Sequence, residues 1–269
     1  MRTKSGTLFG PLLAGAMACS LAAPLAAQEA SQGGSGVQTA VASSNVSAQA
    51  QAVLARMTGF MQGLESFSIE SRSTRDELLA YGYTLQNNER ASLVVQRPNK
   101  LRSEVSGNVR NRTFVYDGAK LVIYSPDDQA YASIGAPGTL AALVSGILDA
   151  GIEFPLIDVL AQSAAGTLTS QVSSGILVGS ATIDGIECDH LAFRQADTDW
   201  QLWVAKGAQP LPRRILITTR YEVGNPQFEA TLDWNLKPKI TPATFAFVAP
   251  KGAVEIPFDR PAALLGQAQ

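Results

Sequence analysis

Along Thr139–Gln162 the apolar positions follow a helical period. Leu140, Leu143, Val144, Ile147 and Leu148 fall at i, i+3, i+4, i+7 and i+8, one stripe along a helix. The opposite side is small rather than charged: Ala141, Ala142, Ser145 and Gly146. No charged residue occurs from Gln129 to Leu148. After Gly151 the pattern restarts, with Pro155 suited to a first helical position and Leu156, Ile157, Val159 and Leu160 following. The spacing predicts a hydrophobic helical pair over 139–162 that closes over something apolar, either the protein's own core or a ligand.

Elsewhere the pattern is that of a helix and then strands. Ser47 suits an N-cap for a helix from Ala48, with Val53, Leu54, Met57, Phe60, Met61 and Leu64 on its apolar face. Phe67, Ile69, Ser71 and Ser73 then alternate with Ser68, Glu70, Arg72 and Thr74, the period of a sheet with one wet face. Further strands are predicted at 83–97, 101–105, 112–116, 121–124 and 130–134 before the helical pair. After it come strands at 176–183, 187–195, 200–205, 214–221 and 228–234. Asp117-Gly118 and Asp184-Gly185 are tight-hairpin signals. About eleven strands joined mostly by short turns pair antiparallel, and a meander that large curls into a barrel or half-barrel. The pattern therefore predicts a mainly β (α+β) fold: an antiparallel barrel or half-barrel with an N-terminal helix and a hydrophobic helical pair inserted near 139–162.

The first residues are not part of that fold. Arg2 and Lys4 precede an apolar run, Leu8–Leu25, and Ala26-Ala27 suits cleavage before Gln28. This predicts a signal peptide over 1–27 and export to the periplasm. A rival reading takes Ala16-Met17-Ala18-Cys19 as a lipoprotein box and anchors the chain through Cys19. Residues 28–47, rich in Ser, Gly, Ala and Gln, read as a flexible linker. The domain is then 48–258, with 259–269 a C-terminal tail. Without Arg2 and Lys4 the 21 basic residues fall to 19 against 23 acidic, a net charge of −4. That charge argues against nucleic acid as a partner. After cleavage Cys188 is the one cysteine left, so no internal disulfide holds the domain.

Two blocks carry a resemblance. The first runs from Arg97-Pro98-Asn99-Lys100-Leu101-Arg102 through Phe114-Val115-Tyr116-Asp117-Gly118 to Tyr131 and Pro137-Gly138. The second runs from Gly185 through Cys188, His190–Gln195 and Trp200–Trp203 to Pro212-Arg213. They resemble an uncharacterised family of predicted periplasmic proteins (a domain of unknown function). That family looks like the lipoprotein carriers LolA and LolB and the sensor RseB. The resemblance implies an eleven-strand unclosed barrel whose concave face is lidded by helices inserted after the sixth strand. It also implies non-catalytic binding of an acyl chain, a lipid or a lipid-modified protein, with transient membrane contact. The alternative it implies is a sensor or protein-interaction module of RseB type, with an envelope protein as partner.

The residues assigned to such a groove are Leu140, Leu143, Val144, Ile147, Leu148, Leu156 and Leu160 of the helical pair, with Trp200 and Trp234 from the strands. Arg97, Lys100, Arg102, Arg110 and Arg112 bracket two adjacent strands. They read either as a rim for anionic headgroups or as a solvated outer face. Cys188 and His190 share one strand face about 7 Å apart, beyond hydrogen-bond reach. His190 is the single histidine, so no metal set and no catalytic pair is expected, and no cofactor. No nucleophile elbow, zinc-protease or phosphate-loop motif is present. The chain is expected not to be an enzyme.

Overall fold

The computed structural model describes residues 45–149, 168, 169 and 171–258. Ser47 caps helix α1 (Ala48–Gln62), its hydroxyl oxygen accepting from the Ala50 N–H at 3.3 Å. Four antiparallel turns then build β2 (Ser66–Leu78), β3 (Thr84–Gln96), β4 (Lys100–Gly107), β5 (Arg112–Tyr116) and β6 (Lys120–Ser125). Next come β7 (Ala130–Gly135) and helix α2 (Leu140–Asp149). The second half follows as β8 (Ser174–Ile183), β9 (Ile186–Arg194), β10 (Thr198–Ala205), β11 (Pro212–Thr219) and β12 (Gln227–Asn235). These eleven strands are those expected from the period-two pattern.

Two more strands bring the count to thirteen. β1 (Asn45–Val46) pairs with β8 and β13 (Val254–Glu255) with β7, both in parallel. All thirteen form one sheet in the order β1-β8-β9-β10-β11-β12-β2-β3-β4-β5-β6-β7-β13. The expectation of about eleven antiparallel strands is corrected on this point: two short parallel strands flank them. Two-residue strands carry no periodicity, so their pairing is set by where the chain arrives.

The sheet ends at β1 and β13, so it is open. It is curled as well, because one buried cluster joins the inner residues of every long strand. Leu191 and Phe193 of β9, Trp200 and Leu202 of β10, Ile69 of β2 and Leu101 of β4 meet Phe114 and Leu121 from the far side. What they meet on is α1. Ala50, Val53, Leu54, Met57 and Met61 of that helix are buried in the same cluster. Arg56 pairs with Asp189 of β9 at 3.1 Å, and Arg97 donates to the Gln62 and Met61 carbonyls at 3.0 and 3.3 Å. A guanidinium there satisfies the last carbonyls of the helix and suits its negative end. α1 is thus tied into the hollow of the sheet from its middle and from its C-terminal end.

Gly175 shows how close the packing is. On β8 it lies opposite Phe193, whose ring stacks on Trp200 at 4.1 Å. A Cβ at Gly175 would stand 2.4 Å from a Phe193 ring carbon. Gly175→Ala is expected to cost about 1–3 kcal/mol through forced displacement of that ring, read as a lower thermal midpoint.

Candidate functional site

The candidate site is the hollow face and the helix that covers part of it. The turn before α2 is fixed to the sheet by two bonds: the Tyr116 hydroxyl donates to the Pro137 carbonyl, and the Leu140 N–H donates to the Pro98 carbonyl at 3.0 Å. Thr139 begins the helix, its hydroxyl oxygen accepting from the Ala142 N–H at 3.3 Å. Burial raises the pKa of Tyr116 above the ordinary phenol value, and the nearby Asp117 adds to the shift. Its proton therefore stays on as the donor.

Beyond that anchor α2 lays Leu143, Val144 and Ile147 into the cluster that holds α1, with Leu140 packed at its margin. Ala141, Ala142 and Ser145 face outward, whereas Gly146, expected with them on the small side, is buried, where its missing side chain lets the helix approach. Leu143 and Ile147 are fully buried. Leu148 lies on the α2 backbone, whereas Leu156 and Leu160, and with them the second half of the expected pair, lie outside the described residues. Trp200 is buried on the inner face against Phe193. Trp234 is half-buried, 5.3 Å from the Phe67 ring centroid, with its indole N–H on the Pro212 carbonyl at 2.8 Å. The hollow thus brings together Leu140, Leu143, Val144, Ile147, Trp200 and Trp234. It also contains α1, which the sequence pattern marks as a core helix apart from the groove. The sequence holds no signal for α1's place, because helical periodicity gives a face and not a destination.

The five cations do not form one rim. Arg97 is engaged with the end of α1. Lys100 and Arg102 lie on the outer face of β4, Lys100 near the Phe245 ring at 5.9 Å and Arg102 on Glu104 at 2.7 Å. Arg112 pairs in register with inward Val105, so it stands on the opposite face from Arg102. There it donates to the Asn111 carbonyl and the Ser125 hydroxyl. Arg110 sits in the turn between β4 and β5. The expectation that Arg112 joins Lys100 and Arg102 is corrected: the length of that turn sets which face the next strand presents.

Cys188 and His190 also point outward, into a second small cluster. Cys188 is buried there with Trp203 and Ala205, against Ile183, Ile186 and Leu216. Desolvation raises the thiol pKa above its ordinary value. The His190 ring stacks on Trp203 at 4.3 Å and bonds Gln201 at 2.8 Å, while the Arg214 guanidinium covers Trp203 from the neighbouring strand at 4.8 Å. A register shift at Trp203/Val204 puts Arg213 and Arg214 in succession at this bulge. Arg213 pairs with Asp233 and Arg214 with Glu229. Cys188→Ser buries a hydroxyl at a cost of about 1–3 kcal/mol. That variant and His190→Gln are expected to lower thermal stability and leave ligand binding at the wild-type level in a titration.

Two open depressions lie on the outer face. One, of about 630 Å³, is lined by Arg72, Thr74, Asn88, Arg90, Ser106 and Glu229 among others. The other, of about 500 Å³, lies beneath the segment after β12, between Arg102, Thr113, Tyr124 and Phe247. Among the described residues no group of three or more His, Cys, Asp and Glu is placed to hold a metal. No helix of the described residues is long and apolar enough to cross a membrane.

A family model described as "Predicted periplasmic protein (DUF2092)" matches residues 50–259. The chain belongs to this family. In this DUF2092 protein the match begins inside α1 and runs through β2–β7, α2 and β8–β13. The periplasm, read above from the N-terminal segment, is the compartment that the family's description gives. No curated protein matches the chain. Solved structures similar to it include an uncharacterized conserved protein from Thermus thermophilus, 14% identical, with a TM-score of 0.47, covering 78% of this chain and 99% of that one. The Mycobacterium tuberculosis lipoprotein LppX is 17% identical, with a TM-score of 0.44 and coverage of 71% and 99%. A LolA superfamily protein from Nitrosomonas europaea is 12% identical, with a TM-score of 0.34 and coverage of 73% and 97%. Superpositions this loose leave the ligand to be argued from the chain's own geometry.

Proposed function

We propose that this DUF2092 protein is a non-catalytic periplasmic binder of an acyl chain, held as a lipid or as the lipid of a modified protein. The acyl chain enters the hollow of the LolA-like half-barrel when α2 swings out as a lid. The observation that carries this reading is the make-up of α2. Its buried side is Leu143, Val144, Gly146 and Ile147, its outward side is Ala141, Ala142 and Ser145, and no charged residue occurs from Gln129 through Leu148. Among the described side chains of α2, lifting the helix breaks no ion pair. It exchanges apolar contacts on Leu143, Val144 and Ile147 for apolar contacts with an acyl chain, so the two states differ by little. The bonds at Pro137 and Leu140 supply a fixed end about which the helix turns. α1, tied through Arg56 and Arg97, stays as the floor.

Native mass spectrometry of the protein released from cell envelopes, followed by lipid extraction, tests this. The expected result is a mass increment that extracts as lipid. A clean apo mass together with a captured protein partner would overturn it and make the chain an interaction module. The same spectrum reads the start of the mature chain, expected at Gln28. An acylated Cys19 start would place the protein on a membrane instead.

A further inference from the structure

The hairpin β2–β3 outgrows the sheet. β3 last meets β4 at Glu89–Gly107, so Thr84–Asn87 run on with no strand beyond them among the described residues, about 13 Å at strand rise. At the tip the chain turns through Gly82, at φ 83°, with the Leu79 N–H donating to Tyr83 and the Gly82 N–H donating to Leu79, both at 2.8 Å. Tyr81 and Tyr83 stand 89% and 70% exposed there, with Leu78 and Leu85 on the stem. The β11–β12 turn rises beside it. Phe228 is in register with Arg75, the Gln227 N–H donates to Asp76 at 3.1 Å, and Gly224 lies next to Thr84. That turn presents Tyr221 and Val223 at 78% and 77% exposure. The Arg220 guanidinium lies over the Tyr221 ring at 4.8 Å and donates to its hydroxyl at 2.6 Å.

Two turns at one end of the sheet therefore carry three bare tyrosines, two leucines and a valine. We propose that these tips are a membrane-docking site that inserts into the interface of a zwitterionic bilayer. Three observations select that occupant. Tyrosine, with an apolar ring and a polar end, is the residue suited to the depth of lipid headgroups. The surface is two projecting points, whereas a stable protein partner needs roughly 800 Å² of fitted surface on each side. The charge is wrong for an anionic surface: residues 75–85 and 219–227 hold Arg75 and Arg220 against Asp76, Glu77 and Glu222, a net charge of −1. Glu77 accepts from the Asn87 amide at 2.8 Å, and Arg75 lies over the Phe228 ring at 5.6 Å, behind the tips. Attraction must then come from apolar burial, and the periplasm is bounded by lipid on both sides. The site does not depend on what the hollow binds.

Sedimentation with phosphatidylcholine vesicles tests the proposal, using the chain from Gln28, which contains the whole described fold. Wild type is expected to partition onto the vesicles, and raising salt from about 0.1 to about 0.5 M should change that less than roughly twofold. The triple variant Tyr81→Ser, Tyr83→Ser, Tyr221→Ser is expected to lose roughly tenfold or more in partition at an unchanged thermal midpoint. As a second reading, Tyr81→Trp should be quenched by brominated lipid. The proposal is overturned by wild type staying in the supernatant, by a triple variant that binds as wild type does, by binding that salt strips away, or by an unquenched Tyr81→Trp. It is also overturned by a concentration-dependent dimer that the triple variant abolishes, which would make a second copy the occupant.

Discussion

Ile147→Glu is expected to strip hydrogen-exchange protection from residues 139–149 while the strands keep theirs. Ile147 is fully buried, in one cluster with Leu143 and α1. A carboxylate cannot stay there without a cost of several kcal/mol unless the helix leaves. If α2 is a lid, leaving is the cheaper course, because no hydrogen bond or ion pair of the sheet depends on its buried side. The variant should then bind a hydrophobic dye more strongly and keep its β-sheet circular dichroism. If α2 is instead core like any other, the charge unfolds the whole domain, and protection falls uniformly from β2 to β12. That second outcome would remove the lid and most of the case for a groove.

Met57→Ala is expected to do the opposite, weakening every strand together. Met57 is fully buried on the side of α1 that the whole curled sheet shares. Truncation there should cost about 2–5 kcal/mol, or roughly 5–15 °C in thermal midpoint for a domain of this size. Exchange should rise across β2–β12 in proportion, with no region set apart. Equal, whole-domain responses in the α1 and α2 variants would mean that the two helices are one core and that neither is a lid.

The contrast between the two helices also marks where sequence reasoning stops. Eleven strands were legible because each long strand has one wet face, so alternation such as Phe67/Ser68/Ile69/Glu70 survives in the sequence. The start of α1 was legible because Ser47 is an N-cap whatever surrounds it. The place of α1 in the hollow was not, since a buried stripe says nothing of its partner. β1 and β13 were not legible either, being too short for a period. The basic group failed on a single step of parity. Arg102 and Arg112 are near in sequence and share a hairpin, yet the turn at 108–111 puts them on opposite sides of the sheet. Apolar stripes tolerate such ambiguity because a helix brings its whole face at once, whereas a site made of alternate strand positions does not.

The parallel strands at the two margins of the sheet have a consequence for association. An open sheet offers unpaired backbone along its outermost strands, which is a template for adding another chain. Here Asn45–Val46 lies along the start of β8, and Val254–Glu255 lies along the start of β7, with the Ile256 N–H donating to Tyr131 at 2.8 Å. The same polypeptide thus covers the start of both of its own margins, with segments more than 200 residues apart. Cutting the chain before Ala253 would leave α1 and the tips in place and take Phe258 from the margin of the core cluster, yet bare the start of β7. The foreseeable product is a protein that folds and then polymerises. Resistance to such association rests on four residues, of which Asn45, Val254 and Glu255 are exposed and Val46 reaches the core cluster.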